Sequence, residues 1–552
     1  MLVRWVAALA TGLAFSFPAF AGTCESLVVN LALTGTTVTG ATTVPGPAFT
    51  APDGITYTNV PSFCKVSAVL MPTSDSFINV ELWMPVSGWT GRFEGIGNGG
   101  YAGTVALGVP AMIAGLQQGL AVATTDMGTA PSGNNDGDAL IGHPEKWVDF
   151  GWRATHLMTT TSKTIIQAYY GQAPRWSYFN GCSTGGEQAL MSAQRFPDDY
   201  DGILGGDPAG NRTHGHTGVL WNYTAMHKTT QSLFTSTGQT QAMVNSILAA
   251  CVVKSGGLAS DAFLTDPRTC GWDPAVMQCT GAPDGTCLTA DQVVAARTMY
   301  AGAVDPATGH RIFPGSVRGS EADSQFGWVG IGTQPETPFG SLFKWVFGPT
   351  FVYSMFNFDS DMATMDSILA PNLNANSTNL STFRDHGHKL LMYHGWADPL
   401  ITPQESINHY NAIVAAQGAG AAAVKKAQDF YRLFMVPGMY HCATGPGPNA
   451  FGNRFSGIAY APPPLANDAE HDIFIALQNW VEKGVAPTRV TAAKYVNDVP
   501  QLGVQMTRPI CLYPNVAKYS GTGDPNSAEN FTCAPAPGTN DPSQVAAPEY
   551  RN

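Results

Sequence analysis

This sequence predicts an α/β fold carrying a large insertion, and three observations point to it. Strand-like apolar runs alternate with helical stretches over residues 65–195. A serine stands among glycines in Gly181-Cys182-Ser183-Thr184-Gly185-Gly186, where a strand-like run gives way to a helical one. The next strand-like run that leads into polar, reactive residues begins only at Lys389. That gap is far longer than a few βα units need.

In chain order, Arg4, the apolar run Trp5 to Phe17 and the small residues Ala19-Phe20-Ala21 fit a cleaved export signal over 1–21. The run is shorter than the ~20 apolar residues of a membrane-spanning helix. Val66 to Leu70 and Ile78 to Met84 alternate as strands do. Arg92 to Ile96 runs into the backbone-only loop Gly97-Asn98-Gly99-Gly100, and Leu120 to Thr125 reads as a buried strand. Ala154 to Tyr169 predicts a helix, Arg175 to Phe179 a strand and Gly186 to Arg195 a helix, which puts Ser183 on a strand-to-helix turn. Lys389 to His394 and Tyr431 to Val436 read as further strands, followed by Asp398 and His441. Residues 22–209 and 376–552 are thus assigned to one core, and 210–375, rich in Cys, Trp, Phe and Gly, to an inserted lid domain. The polar, proline-rich stretch from Ala534 to Asn552 reads as a loose tail.

Composition narrows the function. The net charge is −12 and only 12% of residues are charged, so nothing points to nucleic acid. After residue 21 no segment is long and apolar enough to span a bilayer, so a secreted or periplasmic protein is expected. Ten cysteines without a close CxxC pair suit an oxidising compartment better than a zinc site. Local spacing suggests Cys24–Cys64, Cys251–Cys270, Cys279–Cys287 and Cys511–Cys533, leaving Cys182–Cys442; free buried thiols are the alternative.

The order Ser183, Asp398, His441 is that of the α/β-hydrolases. A serine hydroxyl needs an adjacent base to become a nucleophile, a role that falls to His441, with Asp398 fixing the imidazole tautomer. Thr184 N–H and an N–H from Gly99 or Gly100 are the candidate oxyanion donors. A lone Gly-x-Ser-x-Gly is unspecific, because glycine-rich turns often contain serine; the strand–turn–helix context and the ordered Asp and His are what add weight. His143, His214, His216 and His227 read as surface or hydrogen-bonded structural residues. His394, four residues before Asp398, faces either the same cleft or the core. If Cys182 and Cys442 are bonded, their Cα atoms lie about 5.5–6 Å apart. Ser183 and His441, one residue away on each side, are then held together.

These residues resemble the tannase and feruloyl esterase family, which includes the mono(hydroxyethyl) terephthalate hydrolase. The resemblance rests on Gly181-Cys182-Ser183-Thr184-Gly185-Gly186, His394-Gly395-x-x-Asp398 and His441-Cys442. Gly97-Asn98-Gly99-Gly100, Cys270-x-Trp272-Asp273-Pro274, Cys287-Leu288-Thr289, Arg508-Pro509-Ile510-Cys511-Leu512-Tyr513-Pro514 and Asn530-Phe531-x-Cys533 extend it over essentially the whole mature chain. It implies an α/β-hydrolase core with a lid, the same five disulfides, and a cleft bordered by His394 and Ile401. It also implies hydrolysis of small esters of aromatic acids, feruloyl or galloyl, of plant cell-wall or tannin origin.

A terephthalate-monoester hydrolase is the alternative enzyme. Relatives of that kind hold the distal carboxylate with an arginine, and here Arg318 and Arg384 flank a long lid stretch without one. A serine peptidase fits the whole-chain resemblance less well. A binding protein without catalysis is disfavoured by the intact Ser183, Asp398 and His441. Trp345, Phe347, Phe351 and Phe358 are candidate substrate contacts in the lid, though such aromatics more often form its core. Many relatives carry a calcium loop just after the first lid cysteine. Here Val252, Ser255 and Ser260 replace its carboxylates and Lys254 adds a positive charge, so no metal and no other cofactor is expected.

Overall fold

The computed structural model describes residues 23–31, 33–52, 54–454 and 461–536. The expected export signal, and the tail beyond residue 536, lie outside the described residues. Nine strands form one mixed sheet. In chain order they are β1 (Thr36–Val44), β2 (Phe63–Leu70), β3 (Ile78–Pro85), β4 (Arg92–Ile96), β5 (Ala121–Thr125), β6 (Trp176–Cys182), β7 (Gly202–Gly206), β8 (Lys389–Gly395) and β9 (Tyr431–Val436). Across the sheet the order is β1-β2-β3-β5-β4-β6-β7-β8-β9. The β1–β2, β2–β3 and β3–β5 pairs are antiparallel; every later pair, from β4–β5 to β8–β9, is parallel.

Burial explains the two halves. In β2 buried and half-buried residues alternate, as expected where one face is less covered. β5 and β7 are buried at every position, which suits parallel strands covered on both faces. Helices α1 (Val109–Gln117), α2 (Ala154–Tyr170), α3 (Thr184–Arg195) and α10 (Ile473–Lys483) pack on these strands. Gly171 closes α2 at φ +74, a left-handed cap that favours glycine. Strand β1 has no clear alternation of its own and buries only Val38 and Ala41 of its nine residues. Its partner β2 and the Cys24–Cys64 disulfide hold it in place.

The chain leaves the sheet after β7 and returns before β8. The ends of this excursion meet: Asn211 and Asn374 form an antiparallel bridge, and Ala375 N–H donates to Gly210 O at 2.6 Å. Between them lie α4 (Arg212–Met226), α5 (Thr237–Cys251), α6 (Ala290–Ala301), α7 (Ser341–Phe347) and α8 (Ser360–Leu373). Part of the insertion has its own apolar core, including Met226, Phe234, Met243, Ile247, Trp272 and Trp328. Leu220, Leu342, Phe343 and Leu369 instead join the core of the main sheet. The insertion is therefore seated on the sheet through α4, α7 and α8.

Helix α9 (Pro403–Ala416) lies between β8 and β9, and beyond β9, α10 leads into a hairpin of β10 (Arg489–Tyr495) and β11 (Val504–Cys511), then a second of β12 (Asn515–Tyr519) and β13 (Phe531–Pro535). All ten cysteines are paired, as Cys24–Cys64, Cys182–Cys442, Cys251–Cys270, Cys279–Cys287 and Cys511–Cys533. Among the described residues no helix is long and apolar enough to cross a membrane.

Candidate active site

Ser183 follows β6 directly and α3 begins at Thr184. The serine sits at φ +64, ψ −118, a conformation that costs a non-glycine residue of order 1–3 kcal/mol. The turn survives because the neighbouring backbones touch. A Cβ on Gly181 would lie 2.7 Å from Gly185 Cα, so this glycine is required by close approach. Ser183 N–H donates to Gly206 O at 3.0 Å, and Ala209 N–H returns a bond to Ser183 O at 3.1 Å. The helix starts two residues earlier than the expected Gly186, which puts Thr184 and Gly185 in its first turn.

Asp398 and His441 lie beyond the carboxyl ends of β8 and β9, as Ser183 does for β6. Loops at that edge of parallel strands are where open α/β sheets carry their sites. Asp398 Oδ1 accepts from Leu400 N at 2.8 Å and Ile401 N at 3.0 Å, and Oδ2 lies 2.7 Å from His441 Nδ1. The Cys182–Cys442 disulfide, with Cα atoms 6.0 Å apart, joins the residues next to Ser183 and His441. Burial opposes ionisation of Asp398, but His441 and His394 outweigh it and hold the carboxyl well below the usual range. Burial likewise disfavours the His441 imidazolium, and Asp398 more than offsets it, so its pKa is raised.

His394 is fully buried and does not border the cleft. Its Nδ1 lies 2.7 Å from Ser406 Oγ, and its Nε2 lies 2.9 Å from Ile401 O and 3.3 Å from Asp398 Oδ2. It shares Asp398 Oδ2 with His441, and both its ring nitrogens find partners inside the protein. Ile401 does line the cavity beside Ser183.

That cavity is walled by Pro208, Ala209, Val219, Phe313, Phe339, Leu400 and Ile401, with Gly100, Ser183, Thr184, Arg212, His216 and Glu405 among its polar surroundings. Its apolar walls with a few polar groups suit a small organic ligand. Gly100, rather than Gly99, lies on the wall. Its φ is +53 and a Cβ there would fall 1.8 Å from Asn134 O, so no other residue fits. Thr184 Oγ1 donates to Gly100 O at 2.8 Å and accepts from Arg212 Nη2 at 3.0 Å.

Trp345, Phe347, Phe351 and Phe358 do not line this cavity. Trp345 donates to Gly137 O and stacks on Trp147, Phe347 and Phe351 pack with Phe356, and Phe358 packs on Trp221. Phe313 and Phe339 take the wall positions instead. Arg318 is also elsewhere, bonded to Trp272 O and stacked on Tyr300, and Arg384 pairs with Asp385 and Gln417. The arginine at the cavity is Arg212, tied to Glu187 at 2.5 Å. Burial raises the Glu187 carboxyl to about 7 despite that arginine.

Sequence reasoning missed three groups: Asp207, Glu187 and Arg212. Asp207 Oδ1 accepts from Gly395 N at 2.9 Å and Oδ2 from Cys442 N, so one buried carboxylate ties the β8 and β9 loops to the end of β7. Burial raises its pKa, and His394 works against that. Its neighbours Asp-Pro resemble an ordinary turn, so only the spacing from Gly206 could have signalled it.

In the loop after Cys251 the side chains are bonded within the protein. Ser255 Oγ donates to Val252 O at 2.7 Å and accepts from Thr265 N at 3.0 Å. Asp261 accepts from Leu258 N at 2.8 Å and from Arg508 Nη2 at 3.1 Å. A carboxylate already paired with a guanidinium, beside bonded serine, lacks the oxygen charge that calcium needs.

The model of the family described as "Tannase and feruloyl esterase" matches residues 64–534. An uncharacterized esterase of Xanthomonas campestris is 36% identical over 97% of this chain and 95% of its own. A probable feruloyl esterase B-2 of Aspergillus flavus is 32% identical, covering 82% of this chain and 83% of its own. The crystal structure of feruloyl esterase B from Aspergillus oryzae superposes with a TM-score of 0.83 at 28% identity, over 93% of this chain and 99% of that one. Matched in this way from end to end, the chain belongs to the tannase and feruloyl esterase family of carboxylic ester hydrolases.

Proposed function

We propose that the protein is an exported serine esterase that cleaves esters of aromatic acids, feruloyl, other hydroxycinnamoyl or galloyl, through an acyl-enzyme. One observation carries the reading: the Cys182–Cys442 disulfide tethers the residues beside Ser183 and His441, while Asp398 engages His441 Nδ1. With Nδ1 committed to Asp398, Nε2 is the nitrogen left to take the proton of Ser183. Ser183 Oγ attacks the ester carbon and its proton passes to His441. The carbonyl oxygen becomes an oxyanion met by Thr184 N–H and by Gly100 N–H, the loop glycine on the cavity wall. The imidazolium then protonates the departing alcohol. Water, deprotonated by His441, releases the acid and restores the serine. Losing one oxyanion donor costs about 3–4 kcal/mol of transition-state stabilisation.

The apolar walls with Phe313 and Phe339 support an aromatic acyl group. The names of the feruloyl esterase relatives support the same class. The terephthalate-monoester alternative has less support, since the cavity's arginine is already paired with Glu187. We read the segment between Asn211 and Asn374 as the lid of the site: it supplies Arg212, His216, Val219, Phe313 and Phe339 to the cavity wall. Export is supported by five disulfides, which persist in oxidising compartments.

The test is hydrolysis of methyl ferulate, methyl gallate and mono(hydroxyethyl) terephthalate by the protein and its Ser183→Ala variant. Turnover of either aromatic methyl ester that vanishes in the variant upholds the reading. Turnover of the terephthalate ester alone replaces the substrate class. Rates unchanged in Ser183→Ala would remove the nucleophile.

A further inference from the structure

At the amino ends of β7 and β8, the edge of the sheet opposite to Ser183 and Asp398, two connections meet. One, residues 196–201, joins α3 to β7. The other is the single helical turn Ser381–Asp385 followed by His386-Gly387-His388, which brings the chain from the insertion into β8. Backbone bonds fix both. Lys389 N–H donates to Asp201 O at 3.0 Å, His386 N–H to Thr382 O at 3.0 Å and His388 N–H to Phe383 O at 3.2 Å.

Three side chains converge there. His386 Nδ1 lies 2.6 Å from Asp198 Oδ1, and His388 Nε2 lies 3.8 Å from the same oxygen. One nitrogen of each imidazole and a carboxylate oxygen of Asp198 all stand within 4.8 Å of one another. At 3.8 Å His388 Nε2 faces Asp198 without a hydrogen bond to it. On the other side of that ring, Nδ1 lies 4.0 Å from Asp201 Oδ1. A carboxylate behind the far nitrogen is how metal-ligating histidines are oriented. Burial lowers the His388 pKa, which favours the neutral ring and its lone pair. His386 holds the Asp198 carboxyl below its usual range, so it stays ionised. Solvent reaches the cluster through His386 and Asp198, whose side chains are 45% and 75% exposed. The adjacent Asp199 is committed to His156 at 2.8 Å.

We propose that Asp198, His386 and His388 form a binding site for a divalent transition ion, with zinc the best fit. Two imidazoles and a carboxylate suit zinc and leave a coordination position for water. Ligand atoms 2.0–2.1 Å from a tetrahedral ion stand about 3.3 Å apart, a spacing that the 2.6 and 3.8 Å separations bracket. Calcium and magnesium prefer oxygen ligands and suit the site poorly. An ion held there clips the chain returning from the insertion to the turn between α3 and β7. Its effect is on stability, because the ester chemistry takes place at the other ends of these strands. The expectation of no metal, drawn from the loop after Cys251, does not extend to this edge of the sheet.

The experiment titrates zinc chloride calorimetrically into protein made without a histidine tag and freed of metal. His386→Ala, His388→Gln and His143→Ala are titrated alongside, and thermal melting in chelator verifies that each variant is folded. The parent should bind one zinc ion per chain at this site and melt at a higher temperature with it. His386→Ala and His388→Gln should each weaken that binding at least about ten-fold and lose the rise in melting temperature. His143→Ala, which alters a histidine–aspartate pair elsewhere on the surface, should keep both. No zinc binding by the parent overturns the assignment, as does equal affinity in the parent and His386→Ala. Calcium bound as tightly as zinc overturns the class of ion.

Discussion

His441 Nδ1 lies 2.7 Å from Asp398 Oδ2, with both side chains almost wholly withdrawn from solvent. The pair sets a pH dependence. His441 must be neutral to accept a proton, and Asp398 raises its pKa against the opposing effect of burial. The acid limb of kcat/KM should therefore have its midpoint above the ordinary imidazole value of about 6.5. Asp398→Asn should move the limb to lower pH and reduce the rate by roughly 10⁴-fold. A pH–rate profile on methyl ferulate measures both, and a midpoint at or below the ordinary value contradicts the pairing.

The same pair contributes to stability with a definite sign. The raised His441 pKa means a contribution present below the unfolded-state value and lost as pH rises through the folded one. The depressed Asp398 pKa means a contribution present above the unfolded carboxylate value and lost as pH falls through the folded one. Together they predict that Asp398→Asn costs most stability between those limits, near neutral pH. Urea unfolding at pH 3, 6 and 9 checks this, and an equal cost at all three argues against it.

Ser183→Ala should abolish labelling by a fluorophosphonate and lower kcat by about 10⁴-fold or more. Mass spectrometry of the labelled protein reads the site directly. Label retained at full stoichiometry in the variant would assign the nucleophile elsewhere.

The Cys182–Cys442 disulfide closes 260 residues of chain. Replacing both cysteines by alanine should destabilise the protein by about 2–5 kcal/mol and lower kcat more than it raises KM, because the bond sits next to both reacting residues. Removing Cys279–Cys287, which closes only 8 residues, should leave kcat unaffected. Comparable kcat losses in the two variants would refute the positioning role.

Asp207 accepts backbone N–H bonds from Gly395 and Cys442. Asp207→Asn turns one acceptor oxygen into a donor facing one of those N–H groups. A loss of roughly ten- to a hundred-fold in kcat with little change in KM is expected. A purely structural role would instead lower the melting temperature and leave kcat of the folded fraction intact.

The lid loop should be indifferent to calcium. Incubation of zinc-free protein with EDTA is expected to leave the melting temperature unchanged, whereas Arg508→Met, which strands the buried Asp261, should cost about 3–5 kcal/mol. A clear drop on chelation, restored by added calcium, would overturn this.

Much of the fold and of the candidate site is legible in the sequence, and the reason is local. Ile78 to Met84, Lys389 to His394 and Tyr431 to Val436 carry apolar patterns that suffice to make them strands. Gly181 and Gly185 approach each other across the serine turn, so their spacing is visible in the sequence. Strand β1 lacked such a pattern, since it owes its place to pairing with β2 and to the Cys24–Cys64 bond.

What the sequence by itself determined is a set of strands, among them Ile78 to Met84, Arg175 to Phe179, Lys389 to His394 and Tyr431 to Val436, and the residues, Ser183, Asp398 and His441, that stand just past the carboxyl ends of strands. Tertiary structure alone decided that His394 braces Asp398 from the core and that Phe313 and Phe339, not Trp345 or Phe358, line the cavity beside the serine. It alone set His386 and His388 against Asp198. The strand pattern follows from each segment's own periodicity. Which side chain is buried, paired or left unsatisfied depends on segments hundreds of residues apart, brought together by the sheet and by the closure of the insertion between Asn211 and Asn374.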